Sequence, residues 1–206
     1  LGIYKPDNGE IIINGTEKKI NNPSDALKAG ISMIHQEISL IPHRTIAENI
    51  WIGREPVDKL GLLDWKKLYR KTEELLEELN LKLNPKTIVK ELSVSAMQMV
   101  EIARSVSYNS DIIIMDEPTS ALTQAEVDIL FTIIKKLKEK GISIIYISHK
   151  MDEIFKIADM VTVFRDGKWV DTKPIEELNI NKIISMMVGR ELNQIFPKEK
   201  VPIGET

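Results

Sequence analysis

The sequence predicts an α/β fold in which a parallel sheet is interrupted by a helical segment. Short apolar runs with strand character alternate with amphipathic helices, which is the pattern of a parallel sheet. Between about residues 41 and 108 the character of the chain changes to helical. The expected boundaries are a sheet core at 1–40 and 109–191, a helical segment at 41–108 and a linker at 192–206.

Composition supports a folded core and argues against several classes of function. The chain has 206 residues, 43% of them hydrophobic, and a formal net charge of −3, so it lacks the basic character of a nucleic-acid-binding protein. It contains no cysteine, which excludes disulfides, thiol catalysis and thiolate metal sites. No apolar run approaches the ~18 residues of a membrane span. The chain starts at Leu1 rather than Met, which leaves a targeting segment at this end open.

The first forty residues predict a hairpin, a short helix and a buried strand. An apolar strand at 11–13 runs into Asn14-Gly15, a dipeptide that strongly favours a hairpin turn. Asn22 is a candidate N-cap of a helix that Gly30 ends. The apolar run 31–34 is then expected to form a buried strand.

The helical segment predicts two amphipathic helices. Apolar residues share one face of each helix; they are Leu68, Leu75, Leu76 and Leu79 in the first, and Met99, Ile102, Ala103 and Val106 in the second. The polar turn Ser93-Val94-Ser95 opens the second helix, and Ser95 and Gln98 have capping-box spacing. Free N–H groups and hydroxyls at a helix start suit a phosphate, although by itself this turn is best interpreted as an ordinary N-cap.

After residue 110 the pattern returns to alternating strands and helices. The strand 112–115 precedes a helix that Gly141 ends, and a second apolar strand follows at 142–147. After a short helix, strands are expected at 160–164 and 168–171, joined by the turn Asp166-Gly167.

Two adjacent carboxylates, Asp116 and Glu117, end the strand 112–115. Open α/β sheets place ligand chemistry at the carboxyl ends of their strands. One carboxylate there can hold a hydrated Mg²⁺ while the other orients or deprotonates an attacking water. Alone, the pair could equally be a solvated turn; the apolar run before it and Thr119-Ser120 after it favour a functional site.

Two further polar residues follow neighbouring strands of the predicted sheet. His149 comes after the strand 142–147, so parallel strands would bring it to the same edge as Asp116. Gln36 follows the strand 31–34, where an amide oxygen can reach Mg²⁺ or a water. A lone histidine or glutamine is usually structural, so both assignments depend on context. Thr123 and Glu126 have capping-box spacing, so a role as the cap of the next helix is enough to account for a threonine at position 123.

These segments occur in one order: Gln36, LSVSA at 92–96, IIIMDEP at 112–118, and His149. Together they resemble the Q-loop, signature, Walker B, D-loop and H-loop of the nucleotide-binding domain of ABC transporters. The resemblance covers nearly the whole chain and implies a P-loop NTPase-like (RecA-like) parallel sheet core with an inserted helical subdomain.

Several longer sequence segments resemble, in more detail, the monosaccharide importers of the ribose and galactoside type. The matching segments are HQE at 35–37, SVSAMQMVEIARSVSYNS at 93–110, PTSALT at 118–123, MMVGREL at 186–192 and FPKEK at 196–200. In that family one polypeptide carries two fused nucleotide-binding domains. The chain is similar to the first of them, N-terminally truncated just after the phosphate-binding loop and its helix.

The resemblance implies ATP and Mg²⁺ as ligands and a role for each site residue. Gln36 and Asp116 would contact Mg²⁺, Glu117 would be the catalytic base, and His149 would sense the γ-phosphate. Ser93, Val94 and Ser95 would contact the γ-phosphate of ATP held by a partner domain.

The implied partners are membrane permease subunits, the second nucleotide-binding domain of the same parent chain and, indirectly, a periplasmic or lipoprotein sugar-binding protein. The implied location is peripheral, on the cytoplasmic face of the membrane. The helical segment 41–108 would face the permease.

The sequence departs from the family pattern at three places. The common signature LSGGQ is LSVSA here, which predicts a retained but altered contact with phosphate. Thr123 stands where the D-loop usually has Asp, which leaves communication between two nucleotide sites open. No G-x-x-x-x-G-K-[ST] phosphate-binding loop occurs, so we expect this chain alone neither to bind Mg-ATP well nor to hydrolyse it.

Two other functions stay open at this point. The first is a soluble ABC ATPase acting on ribosomes or DNA, which the acidic charge balance disfavours. The second is a folded module with no activity of its own, which would differ from the importer ATPase only in what the absent residues supply. The strand of the phosphate-binding loop normally lies inside the sheet, so its absence predicts self-association of the chain through exposed strand edges.

Overall fold

The computed structural model describes residues 1–189, which form two compact units, Leu1–His149 and a second unit that begins at Lys150. The linker expected at 192–206 lies outside the described residues. The strands are β1 (Ile12–Ile13), β2 (Thr16–Glu17), β3 (Ile31–Ile34), β4 (Ile112–Asp116), β5 (Ser143–Ile147), β6 (Met160–Arg165) and β7 (Lys168–Pro174). The helices are α1 (Pro23–Lys28), α2 (Ile46–Trp51), α3 (Trp65–Glu78), α4 (Val94–Val106), α5 (Gln124–Glu139), α6 (Met151–Ile157) and α7 (Ile180–Val188).

The first unit begins with the predicted hairpin and short helix. β1 and β2 pair antiparallel across the Asn14-Gly15 turn. Asn22 caps α1, because its side chain accepts a hydrogen bond from the backbone N–H of Asp25. The hairpin and α1 share a small apolar cluster with the start of β3, formed by Ile13, Ile20, Ala26 and Ile31.

The core of the first unit is a parallel sheet with the strand order β3-β4-β5. Strand character follows from β-branched apolar residues, and Ile34, Ile113 and Met115 are fully buried. α5 connects β4 to β5, and its apolar face is buried as the spacing predicts. Because the strands are parallel, the residues that follow β3, β4 and β5 emerge at the same edge of the sheet.

One edge of this sheet is open. β5 pairs only with β4 within residues 1–189, and the side chains of Ile145 and Ile147 are 51% and 46% exposed. An exposed apolar edge strand is a ready template for another strand.

The helical segment contains less helix than the sequence analysis predicts. α3 and α4 bury the expected apolar faces, and α2 is a further short helix, but residues 52–64 are largely irregular, as are 79–88. Short isolated bridges join Thr45 to Ile88 and Val57 to Leu63 instead. These stretches leave the helical conformation because glycine and proline in 52–64, and Pro85 in 79–88, favour turns.

The second unit is a β-hairpin with helices before and after it. β6 and β7 pair antiparallel with a bulge between Val163 and Phe164, and β7 runs three residues beyond its predicted end. Val161, Val163, Leu178 and Ile183 form its buried cluster. Across residues 1–189, no helix combines the length and the apolar character needed to cross a membrane.

Candidate functional site

The carboxyl end of β4 carries Asp116 and Glu117 in a turn of unusual backbone geometry. Asp116 is the last residue of β4 and lies opposite Ile147 of β5. Glu117 has a φ of 47°, in the left-handed region that side chains other than glycine rarely adopt. Its N–H donates to the carbonyl oxygen of Ile147 at 3.0 Å, which holds the strained turn against β5. The two carboxylates are therefore placed by different backbone conformations.

Glu117 and His149 are in direct contact. Oε1 of Glu117 accepts hydrogen bonds from the backbone N–H of His149 at 3.1 Å and from its Nδ1 at 2.7 Å. A carboxylate can only accept, so Nδ1 of His149 donates this bond. The Glu117 side chain is only 16% exposed, whereas that of His149 is 75% exposed. The histidine thus holds the carboxylate and keeps its own outer face in solvent.

The second carboxylate oxygen of Glu117 has no hydrogen-bond partner. Oε2 is buried and unpartnered within the described residues. A buried acceptor without a donor is costly in a folded protein and commonly marks a place where a water or ligand binds. This oxygen is therefore suited to accept a proton from a bound water.

Gln36 lies two residues beyond β3 and is exposed. The register aligns Ile34 with Met115, so Gln36 leaves the sheet at the edge that carries Glu117. No hydrogen bond in residues 1–189 joins Gln36 to Asp116 or Glu117, and no group of three or more His, Cys, Asp or Glu there could hold a metal. The oxygens of Asp116 and Gln36 fit Mg²⁺, an ion that takes few protein ligands and keeps water and phosphate oxygens for the rest.

The polar turn before α4 is an N-cap, but not the one that the spacing predicts. Ser93 is the N-cap and accepts a hydrogen bond from the N–H of Ala96 at 3.2 Å, so the prediction of a capping box between Ser95 and Gln98 was wrong. The helix begins one residue after Ser93, because the extended backbone of Ser93 precedes Val94. Ser93 and Ser95 hydroxyls lie 3.1 Å apart, and Gln98 is buried inside the helix. No hydrogen bond joins this turn to Glu117 or His149 in the part of the chain that is described.

Glu126 connects the loop after Glu117 to the turn before α4. Its carboxylate accepts hydrogen bonds from the N–H and hydroxyl of Thr123 at 2.8 and 2.7 Å, as the spacing predicts. These two bonds, with a smaller contribution from the Ser95 hydroxyl, lower the pKa of Glu126. Thr123 thus fixes the start of α5, and Ser95 lies near the same carboxylate.

We expect the contribution of Glu126 to stability to depend on pH. Because its pKa is lowered by folding, the stabilisation is present above the unfolded value of about 4.3 and is lost as pH falls through the lower folded value. Urea unfolding of the wild type and of Glu126→Gln should therefore differ at pH 7 and converge as the pH falls through the lowered folded pKa of Glu126. A constant difference across this range would contradict the assignment.

Sequence patterns missed one buried charged residue. Glu101 lies among apolar residues on α4, is 4% exposed and contacts Ser39, 62 positions earlier in the chain. A single acidic residue inside an apolar helical run was the available signal, but its partners depend on packing that the local sequence does not reveal.

Comparison with known proteins gives consistent results. Residues 1–120 match a family described as ABC transporter. A ribose/galactose/methyl galactoside import ATP-binding protein 2 of Agrobacterium fabrum is 58% identical over 204 residues, which are 99% of this chain and 40% of that protein. A ribose/galactose/methyl galactoside import ATP-binding protein of Geobacillus kaustophilus is 55% identical over 206 residues, 100% of this chain and 41% of that protein. The chain thus spans about two fifths of the length of these relatives.

Solved structures of similar shape are ATP-binding cassettes. One, the ADP conformation of a cassette of an ABC transporter, has a TM-score of 0.75 at 24% identity and covers 92% of this chain and 80% of that one. Another, a dimeric post-hydrolysis state bound to ADP and Pi, has a TM-score of 0.70 at 22% identity and covers 84% and 76%. At this identity the likeness establishes the fold alone.

Proposed function

Because this chain belongs to the ABC transporter family, we propose that it is part of the ATP-hydrolysing subunit of a monosaccharide importer. The relatives more than 50% identical to it are named for the import of ribose and galactosides. The observation that supports hydrolysis most directly is the Glu117–His149 pair with its unpartnered carboxylate oxygen.

Each residue of the site has a defined task in this proposal. Glu117 accepts the proton of the attacking water at Oε2, while His149 holds Oε1 and contacts the γ-phosphate. Asp116 and Gln36 would hold Mg²⁺, which neutralises charge on the phosphates when bound. Ser93, Val94 and Ser95 contact the γ-phosphate of ATP on a partner domain, since the N-cap Ser93, exposed Val94 and Ser95 stand at the free N–H groups of α4.

The chain alone is expected not to hydrolyse ATP, because it has no phosphate-binding loop to hold the triphosphate. A matched protein, here named the extended chain, adds a strand, a G-x-x-x-x-G-K-[ST] loop and the first turns of its helix before Leu1. We expect phosphate release from Mg-ATP by the extended chain and none by the original. Turnover by the original chain, or none by a folded extended chain, would contradict the proposal.

The partners proposed for the parent protein are permease subunits, a second nucleotide-binding domain and, indirectly, a sugar-binding protein. A groove of about 470 Å³ in the helical segment supports a permease contact, because exposed Ile41, Ile52 and Val57 line it beside Arg44 and Glu55. The location that goes with these partners is peripheral, on the cytoplasmic face of the membrane.

A soluble ABC ATPase that acts on ribosomes or DNA is the alternative function. The net charge of −3 opposes it, since nucleic-acid affinity depends on basic side chains. Co-purification of the parent protein with membranes supports import, whereas co-purification with RNA or DNA supports the alternative.

We expect the isolated chain to self-associate through the open edge of β5. Exposed Ile145 and Ile147 on this edge strand favour pairing with a second copy. Light scattering should give a mass that rises with concentration, and Ile145→Lys should lower it. The extended chain is a control, because its added strand competes for the same edge. A monomer at all concentrations would contradict the expectation.

A further inference from the structure

Glu101 is a buried carboxylate in the middle of α4. Its side chain is 5% exposed and lies between Val100 and Ile102, both fully buried. A charge at such a position is unfavourable unless it is paired and hydrogen-bonded. The groups that bond to the Glu101 carboxylate therefore show which parts of the chain it joins.

Glu101, Arg104 and Ser39 form a closed set of contacts. Oε1 of Glu101 accepts from the N–H of Ser39 at 2.7 Å and from its hydroxyl at 3.1 Å. Oε2 of Glu101 lies 2.7 Å from Nη2 of Arg104, which also donates to the Ser39 hydroxyl at 2.7 Å. Each residue contacts the other two, so the position of Ser39 is fixed relative to α4.

A separate link fixes α4 against the sheet. The hydroxyl of Ser105 donates to that of Ser32 in β3 at 3.0 Å, and the Ser32 hydroxyl donates to the carbonyl oxygen of Ser105 at 3.3 Å. Both serines are buried. α4 therefore has one polar link to the strand β3 and another, through Glu101, to the loop that follows this strand.

The Glu101 contact connects two parts of the proposed site, the loop that carries Gln36 and the turn that carries Ser93 and Ser95. Ser39 is three residues after Gln36, and Glu101 is eight residues after Ser93 on one helix, or about 12 Å at 1.5 Å per residue. An α-helix of this length behaves as a rigid connector. The spacing between the loop that carries Gln36 and the turn that carries Ser93 and Ser95 is thus set through α4.

We propose that Glu101 is a positioning residue that ties the loop carrying Gln36 to the helix that starts after Ser93. The roles given to Gln36 and Ser93 rest on the proposed function, but the contact between the loop and the helix is a property of this chain. Without it, Gln36 and the serines would lose their fixed spacing although each could keep its local structure.

The absence of cysteine allows a direct test in the full 206-residue chain. Spin labels at Glu37→Cys and Val94→Cys, both exposed positions, report the spacing of the two ends. The doubly labelled chain with Glu101 intact is expected to give one narrow distance distribution, and the same chain with Glu101→Ala a broad one. Glu101→Gln should restore much of the sharpness, because its amide oxygen still accepts from Ser39. Glu74→Ala, which removes an exposed ion pair on α3, is the matched control and should change nothing.

Amide hydrogen exchange separates positioning from general stability. In Glu101→Ala the residue 39 amide should exchange roughly 10- to 100-fold faster, the range expected for losing a hydrogen bond to a charged group, while β4 and α5 keep their protection. Unchanged distances and exchange would overturn the proposal, and so would faster exchange spread evenly over β4 and α5. If Glu101→Ala does not fold, Ser39→Ala supplies the same test through its lost hydroxyl contacts. These measurements use no ATP, so their outcome does not depend on whether the proposed hydrolysis is correct.

Discussion

Replacing Glu117 with glutamine in the extended chain is expected to lower the rate of ATP hydrolysis roughly 10²- to 10⁴-fold, the usual contribution of a general acid or base. A glutamine can keep an oxygen toward the N–H and Nδ1 of His149, so the local geometry survives the change. Its amide at the position of Oε2 cannot take a proton from water. Single-turnover phosphate release and ATP affinity, measured together, should show a lost rate and retained binding.

The control for this substitution is Glu74→Gln, which makes the same chemical change on the exposed face of α3. It should leave both rate and affinity unchanged. A Glu117→Gln rate within threefold of the unsubstituted protein would remove Glu117 from the role of base. Weakened ATP binding with an unchanged rate would instead assign it to ligand binding.

Replacing Arg54 with alanine is expected to lower the free energy of unfolding by about 2–4 kcal/mol, from lost hydrogen bonds to a charged group and lost ring contacts. Its guanidinium lies 3.7 Å from the ring centroid of Tyr108 and 5.3 Å from that of Trp51. It also donates to Ile50 O, Ser107 O and Ser107 Oγ at 2.8–2.9 Å. Arg54 thereby joins the end of α2 to the end of α4, and burial lowers its pKa.

Urea unfolding with matched arginine variants tests this prediction. Arg54→Lys keeps the charge but loses the planar fork, so we expect most of the same loss. Arg70→Ala removes an arginine whose pair with Glu74 is two-thirds exposed, and it should cost less than about 0.5 kcal/mol. Equal effects of Arg54→Ala and Arg70→Ala would show that the stacked guanidinium does not stabilise the fold.

The sequence was a good guide wherever local pattern determines structure. The apolar runs of β3, β4 and β5 predicted a parallel sheet, and adjacency of β4 and β5 then predicted that His149 would reach the edge carrying Asp116. The contact that forms is with Glu117, whose left-handed backbone turns its side chain toward β5. A positive φ at a glutamate has no signal in periodicity, because glycine or asparagine usually marks such positions.

Features that depend on distant residues could not be predicted in the same way. Spacing alone favoured Ser95 as a cap, but the start of α4 is decided by the backbone of Ser93. The Glu101–Ser39 contact joins positions 62 apart, so it follows from the packing of α4 on the sheet. The helical pattern of 41–108 likewise gave the buried faces of α3 and α4 but not the irregular stretch at 52–64.

The most direct test of the account is a calorimetric titration of Mg-ATP into the 206-residue chain and, in parallel, into the extended chain. The central claim is that this chain carries the hydrolytic edge of an ABC ATPase site and depends on a separate loop to hold the phosphates. On this claim we expect no measurable binding by the original chain and saturable binding by the extended chain. Tight binding by the original chain would contradict it, because another part of this sequence would then replace the phosphate-binding loop.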